Sequence, residues 1–341
     1  MASRLPFRLA LLATATTLVM LLFGASITTM GAGMAVKGWL MPEGELTEGA
    51  RWFLPLFPLE EWFRDPDTFV EHTHRMIGIV LGLVMMALIA ATHLLDKRPV
   101  AKAWVWIAFV AVCVQGTVGG TRVLENSQHL AFLHGALAQA VFAVLCTATL
   151  VLAPLYREPP TLAPDLAARL AGRAKAATLF VYGQVLLGAW FRHSVRVATT
   201  EPGHDELAFP VGAFVAHAMG ALVVLVVVLV LAKGFGDAKD AATAAGDGPT
   251  ARRFGRFERF LQVTFVVQFL LGTGALATLN MERSALPPIV TSSLHLVVGS
   301  ILLAAGPMAW ILARRLGAGA PDVDDAPATG ALSADAGAAG A

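Results

Sequence analysis

The sequence predicts an all-α integral membrane protein of eight transmembrane helices, arranged as two pseudo-symmetric four-helix bundles. Three observations carry that expectation. Of the 341 residues, 56% are hydrophobic and 14% charged, against roughly 45–50% apolar and about 25% charged in soluble domains. Apolar runs long enough to cross a hydrocarbon layer ~30 Å thick recur along almost the whole chain. Polar residues inside those runs alternate, with Gln and Gly four apart in odd-numbered runs and His in even-numbered ones.

Taken in order, the first run, 9–30, follows Arg4 and Arg8 and is longer than the 7–15 residues typical of a signal-peptide core, so it reads as a span. An outer loop, 31–69, mixes Glu43, Glu45, Glu48, Glu60 and Glu61 with Trp39, Trp52, Phe53, Trp62 and Phe63. It reads as an aromatic segment on the membrane surface in preference to a lid. Spans follow at 71–95, 102–121 and 129–153, then at 174–192, 210–232, 258–280 and 289–313. Residues 234–251 and 317–341 are rich in Ala, Gly, Asp and Pro and hold too little bulky apolar content to repay ordering, so both are expected to be disordered. The chain thus divides into a first bundle (1–155), a cytoplasmic linker (156–173), a second bundle (174–315) and a tail (316–341).

Seventeen of the 25 Lys and Arg residues fall at the termini and after even-numbered spans, which places both termini in the cytoplasm of a multi-pass plasma-membrane protein. The net charge of +1 comes with no basic stripe. The expected surroundings are therefore lipid, not nucleic acid. Cys113 and Cys146 lie inside spans with no CxxC pairing, so neither a disulfide framework nor a thiolate metal site is expected; both read as packing residues.

The Gln–Gly pairs are Gln115 with Gly119, Gln184 with Gly188, and Gln268 with Gly272. A spacing of four puts both on one helix face, where a small residue lets backbones approach, so each reads as a packing motif. The histidines are His74, His134, His217 and His295, one near the outer end of each even-numbered span. The alternation points to duplication, with one pair per half. At ~1.5 Å rise per residue all four sit roughly 6–10 Å below the outer boundary. A lone intramembrane histidine is readily satisfied by a neighbouring hydroxyl or carbonyl; four at one depth point to metal ligation. Imidazoles from facing helices suit the two axial positions of haem iron, whereas a zinc or copper site needs more ligands than the spans supply. The expected pairs are His74 with His134 and His217 with His295.

Glu71, three residues before His74, shares its helix face and is the candidate acid for chemistry, although an acid at a helix start is also stabilised by the macrodipole. Arg75, Arg122 and Arg192 stand where haem propionates would emerge and are candidate carboxylate partners, with interfacial snorkelling an equal reading. His72 projects roughly 200° from His74. It, His93, His129 and His204 read as structural or solvated, and His193 as intermediate. These residues alone fit an electron-transfer cytochrome of the b type as well as an enzyme. A carrier is less favoured because no span is broken by paired Gly or Pro at mid-depth.

The motifs resemble the haem A synthase family over nearly all eight spans. Glu71-His-Thr-His74-Arg75 is similar to that family's Glu-x-x-His-Arg motif. His134 in Leu-His-Gly, His217 in Ala-His-Ala and His295 in Leu-His-Leu fall at its other histidines. Gln115-Gly-Thr-Val-Gly-Gly and Gly188-Ala-Trp-Phe-Arg192-His193 resemble its third and fifth helices. The resemblance implies oxidation of the C8 methyl of haem O to a formyl group by successive hydroxylations. It implies a haem b cofactor on His217 and His295, haem O received near His74 and His134, and Glu71 serving the chemistry. It also implies the haem O-producing farnesyltransferase and an electron carrier as partners, and leaves a homo-oligomer open. Two features depart from the family: its outer-loop cysteine pairs are absent, and Ala218 follows His217 where relatives carry Arg.

Overall fold

A computed structural model describes residues 3–46, 50–200 and 209–317. Eight long helices account for most of them: α1 (Leu5–Met30), α2 (Pro66–Leu95), α3 (Pro99–Glu125), α4 (Gln128–Leu152), α5 (Pro164–Thr200), α6 (Val211–Ala244), α7 (Gly248–Ala277) and α8 (Leu286–Gly317). Among the described residues the only β pairing is an isolated bridge between Glu43 and Arg51.

Local chemistry sets the ends. Asp65 accepts the Thr68 N–H at 2.8 Å ahead of Pro66, Ser127 accepts that of Leu130 at 3.2 Å, and Asp247 accepts that of Thr250 at 3.0 Å. Each satisfies one of the amide donors a helix start leaves without an internal partner. Helix α1 stops at Gly31, whose φ of 83° suits a residue with no Cβ, and α3 stops at Asn126 in the same left-handed region.

Helix α1 packs on α2 and α4, and α3 packs on the same two; α5 packs on α6 and α8, and α7 likewise. The two sets meet where α8 lies against α1 and α4, and α4 against α5. Paired hydroxyls and an amide bind helices across the interior: Thr14 with Thr149 at 2.8 Å, Ser26 with Ser293 at 3.2 Å, and Ser300 donating to Gln139 at 3.2 Å. Outward faces are apolar and uncovered, with Leu83, Val226 and Phe269 all more than half exposed. Such faces suit lipid, where the backbone polar groups are already paired within each helix.

Seven of the eight helices are long and apolar enough to cross a membrane. The expected fifth span, 174–192, lies within α5, where Lys175, Tyr182, Gln184 and Arg192 dilute the apolar run and keep it out of that set.

Two expectations are corrected. Residues 234–251 are not disordered: α6 continues to Ala244, a turn with Gly246 at φ 77° follows, and α7 starts at Gly248. Alanine, the best helix former, carries this stretch. It is tied to its neighbours by Arg173–Asp237 at 2.8 Å and Lys239–Glu258 at 3.0 Å, and Gly234 makes room for Leu170 and Arg173. Cys113 is exposed on an outward face of α3, while Cys146 is buried in the core; the two are unpaired, and only Cys146 packs as expected. The tail expected to be disordered lies, from residue 318 on, outside the described residues, as does His204.

Candidate functional site

The site is built by one device used repeatedly. Each of the four histidines lies against a glycine of the preceding helix, which leaves room for the imidazole edge. A Cβ would stand 2.8 Å from Cε1 of His217 at Gly188, 2.8 Å from that of His295 at Gly272, and 2.7 Å from that of His134 at Gly119. At Gly24 of α1, facing His74, the same atom would stand at 3.2 Å. The glycine expected to serve helix packing is therefore the seat of a histidine.

The glutamine four residues before each seat holds its ring. Gln115 Nε2 lies 3.0 Å from His134 Nδ1 and donates to the His134 carbonyl at 2.9 Å. Gln184 repeats this on His217, at 3.0 Å from Nδ1 and 2.8 Å from the carbonyl oxygen. Gln268 Nε2 lies 3.4 Å from His295 Nε2, and the His295 Nδ1 sits 3.2 Å from the Gln268 carbonyl oxygen. In α1 the corresponding residue is Met20, which offers no such group. The Met20 carbonyl lies nearby, yet no well-formed hydrogen bond reaches the buried His74 Nδ1. In the sequence the seat on α1 is hidden because Met20 stands where the other three helices carry Gln, and Gly24 is its remaining signal.

The rings of His217 and His295 face each other with centroids 6.3 Å apart and planes at 78°. Two metal–imidazole bonds of about 2 Å each, plus roughly 1 Å from each nitrogen to its ring centre, put axial imidazoles about 6 Å apart. The separation of the two ring centres is therefore that of two axial imidazoles on one haem iron, and a glycine lies against each ring. His74 and His134 are close enough to act on one another electrostatically. Among the described residues no group of three or more His, Cys, Asp or Glu is gathered as a ligand cage.

The arginines divide. Arg122 donates to the Gly33 carbonyl at 2.7 Å within electrostatic range of His74 and His134, and Arg192 reaches Thr29 Oγ1 at 2.7 Å within range of His295. Arg75 is also within range of His74 but turns to the outer loop, donating to the carbonyls of Gly38 at 2.7 Å and Val36 at 2.8 Å and pairing with Glu71 at 2.7 Å. Glu71 is 3% exposed and its other oxygen accepts the Val36 N–H at 2.9 Å.

The outer loop packs against the ends of α2 and α3, through Val36 and Gly38 on Glu71 and Arg75 and through Gly33 on Arg122. Trp39 occupies the notch left by Gly120, and Glu61, almost fully buried, accepts the N–H groups of Glu45 and Leu46. His72 is buried between Phe57, stacked at 4.7 Å, and Trp62, edge-on at 4.7 Å. Phe53 and Phe63 are exposed. His93 accepts from Trp106 Nε1 at 2.9 Å near the C-terminal end of α2, and His193 meets Phe132 edge-on.

The family model for COX15-CtaA, described as cytochrome oxidase assembly proteins, matches residues 7–306. Three similar curated proteins each bear the name heme A synthase. One from an Exiguobacterium species is 26% identical over 52% of this chain and 54% of its own length. One from Exiguobacterium sibiricum is 27% identical over 53% and 57%, and one from Symbiobacterium thermophilum is 27% identical over 63% and 71%. The match thus spans little more than half the length of the first two.

Proposed function

The chain belongs to the COX15-CtaA family, that of the haem A synthases, and we propose that it oxidises the C8 methyl of haem O to a formyl group with a bound haem b. The observation that carries this reading is the facing of His217 and His295 at 6.3 Å, each against a glycine seat, together with the same seats at His74 and His134. Balanced with water as the oxygen source, the methyl and one water give the formyl group, four protons and four electrons, and the electrons pass to an electron carrier.

The second-half histidines would hold haem b, which would relay electrons when bound. His74 and His134 receive haem O, with Arg122 and Arg192 at the level of carboxylate groups. Glu71 keeps a free lone pair on each oxygen beside its two donors. We assign to it the proton released at the methyl, or the stabilisation of positive charge developing there.

The neighbour pattern of α1–α4 and α5–α8, with the repeated seats, supports two pseudo-symmetric bundles and eight spans, α5 included. Termini in the cytoplasm, a plasma-membrane setting and contact with the haem O-producing farnesyltransferase are part of the same reading. Expression with a supply of haem O, followed by pigment extraction and mass measurement, tests it. A formyl-bearing haem supports the synthase; haem b recovered unchanged as the sole pigment identifies an electron-transfer cytochrome instead.

A further inference from the structure

Three of the four histidines carry a glutamine on the ring and the fourth does not. We infer that Gln115, Gln184 and Gln268 are positioning residues that lock their histidines onto iron, and that Met20 leaves His74 as the one axial ligand able to give way. This deepens the haem reading above and rests on it.

The geometry supplies the asymmetry. An imidazole that binds metal through one nitrogen is oriented by the hydrogen bond its other nitrogen makes. The amide oxygens of Gln115, Gln184 and Gln268 are all buried without a donor. Turning the Gln115 or Gln184 amide about its last bond presents that oxygen to an Nδ1–H, the tautomer that frees Nε2 for iron; at His295 the Nδ1 sits 3.2 Å from the Gln268 carbonyl oxygen, which accepts the same proton. Room for the amide is built in: Gly220 lies directly against Gln184 Oε1, and Gly299 against Gln268, where a Cβ would come within 2.9 Å of Nε2. On α1 the Met20 methyl takes that place, facing Gly78 at 3.6 Å from a Cβ there, and the buried His74 Nδ1 has no hydrogen-bond partner. The Gly24 seat is also looser, at 3.2 Å against 2.7–2.8 Å for the others.

With no amide on its ring and no well-formed second hydrogen bond, His74 is the less firmly held ligand. In the first half, His134 is therefore the fixed ligand and His74 the exchangeable one. In the second half both ligands are locked, which suits a haem that only passes electrons. In the first half the position of His74 would be the one that opens to a further ligand, and His74 shares α2 with Glu71.

Carbon monoxide is the probe, because it binds ferrous haem only where an axial ligand leaves. In the full-length, haem-loaded, dithionite-reduced protein, CO is expected to take the first-half haem and spare the second. Met20→Gln is expected to weaken CO binding at least about tenfold, the lower end of what loss or gain of such a supporting hydrogen bond does to metal affinity. Gln115→Met is expected to act in the opposite direction, raising CO uptake with haem retained, and so decides the question if Met20→Gln does not fold. Met20→Leu should match the wild type. Equal CO binding in wild type and Met20→Gln, with haem retained, would overturn the inference, as would a wild type in which neither haem takes CO. A purified protein that carries no haem would sink the functional reading itself, before any variant is compared.

Discussion

Glu71 and Arg75, one helical turn apart on α2, pair at 2.7 Å, and between them they also grip Val36 and Gly38 of the outer loop. The residues that resemble a catalytic motif are thus also the clasp that folds the loop onto the bundle. Both side chains are nearly buried, so removing either leaves the other charged and unpaired in a poorly solvated place.

Arg75→Leu is accordingly expected to release the loop and to destabilise the protein by roughly 3–5 kcal/mol, the range for breaking a buried pair from one side. Limited proteolysis in detergent measures it. Cleavage between Trp39 and Arg51 should be faster than in the wild type, and unchanged cleavage would show that the loop does not depend on the clasp.

Glu71→Ala separates clasp from chemistry when paired with that variant. Loss of haem A formation with haem still bound is expected. Normal haem A production by Glu71→Ala removes it from the reaction and leaves it a structural anchor.

The glycine seats give a graded series. Gly188→Ala and Gly272→Ala place a methyl 2.8 Å from the ring carbon of His217 or His295, closer than real Cβ contacts come, and both should lose haem at least about tenfold relative to protein. Gly24→Ala, at 3.2 Å, should be milder. Haem-to-protein ratios in purified samples rank the series, and an unordered or flat ranking would contradict the seat role.

At the far end of α2, Asp96 is 3% exposed and accepts from Arg98 at 2.8 Å and Arg157 at 2.8 Å. Burial alone would raise its carboxyl, but hydrogen bonds from Arg98 and the charges of Arg98 and Arg157 outweigh that and hold it below the ordinary carboxylate range. A lowered folded-state value means the stabilisation is full above the unfolded value of about 4 and is lost as pH falls through the folded value. Asp96→Asn should cost about 1–3 kcal/mol near neutral pH. The gap between wild-type and variant melting temperatures should close on acidification below about pH 4. A gap that does not change with pH would contradict this assignment.

Much of this arrangement was legible in the sequence because membrane helices announce themselves by length and hydropathy, and because His74, His134, His217 and His295 recur at one depth. The role of the glycines was not. Gly119 and Gln115 share a helix face whether they serve a neighbouring backbone or a histidine, and only the packed structure chooses. Glu71 likewise read as an acid beside a ligand, since a partner as distant in sequence as Val36 leaves no local trace. The helical hairpin around Gly246 was missed because low bulk was taken as disorder, whereas alanine, an Asp247 cap and ion pairs to α5 and α7 suffice.

The central claim, that two pairs of membrane histidines hold two haems, is tested most directly by counting haem per chain in the purified wild type and in a His217→Ala/His295→Ala double variant. The wild type should show low-spin haem with two nitrogen axial ligands, and the double variant should lose the second-half haem b while keeping capacity for haem at His74 and His134. Haem content and spectrum unchanged by the double substitution would contradict it.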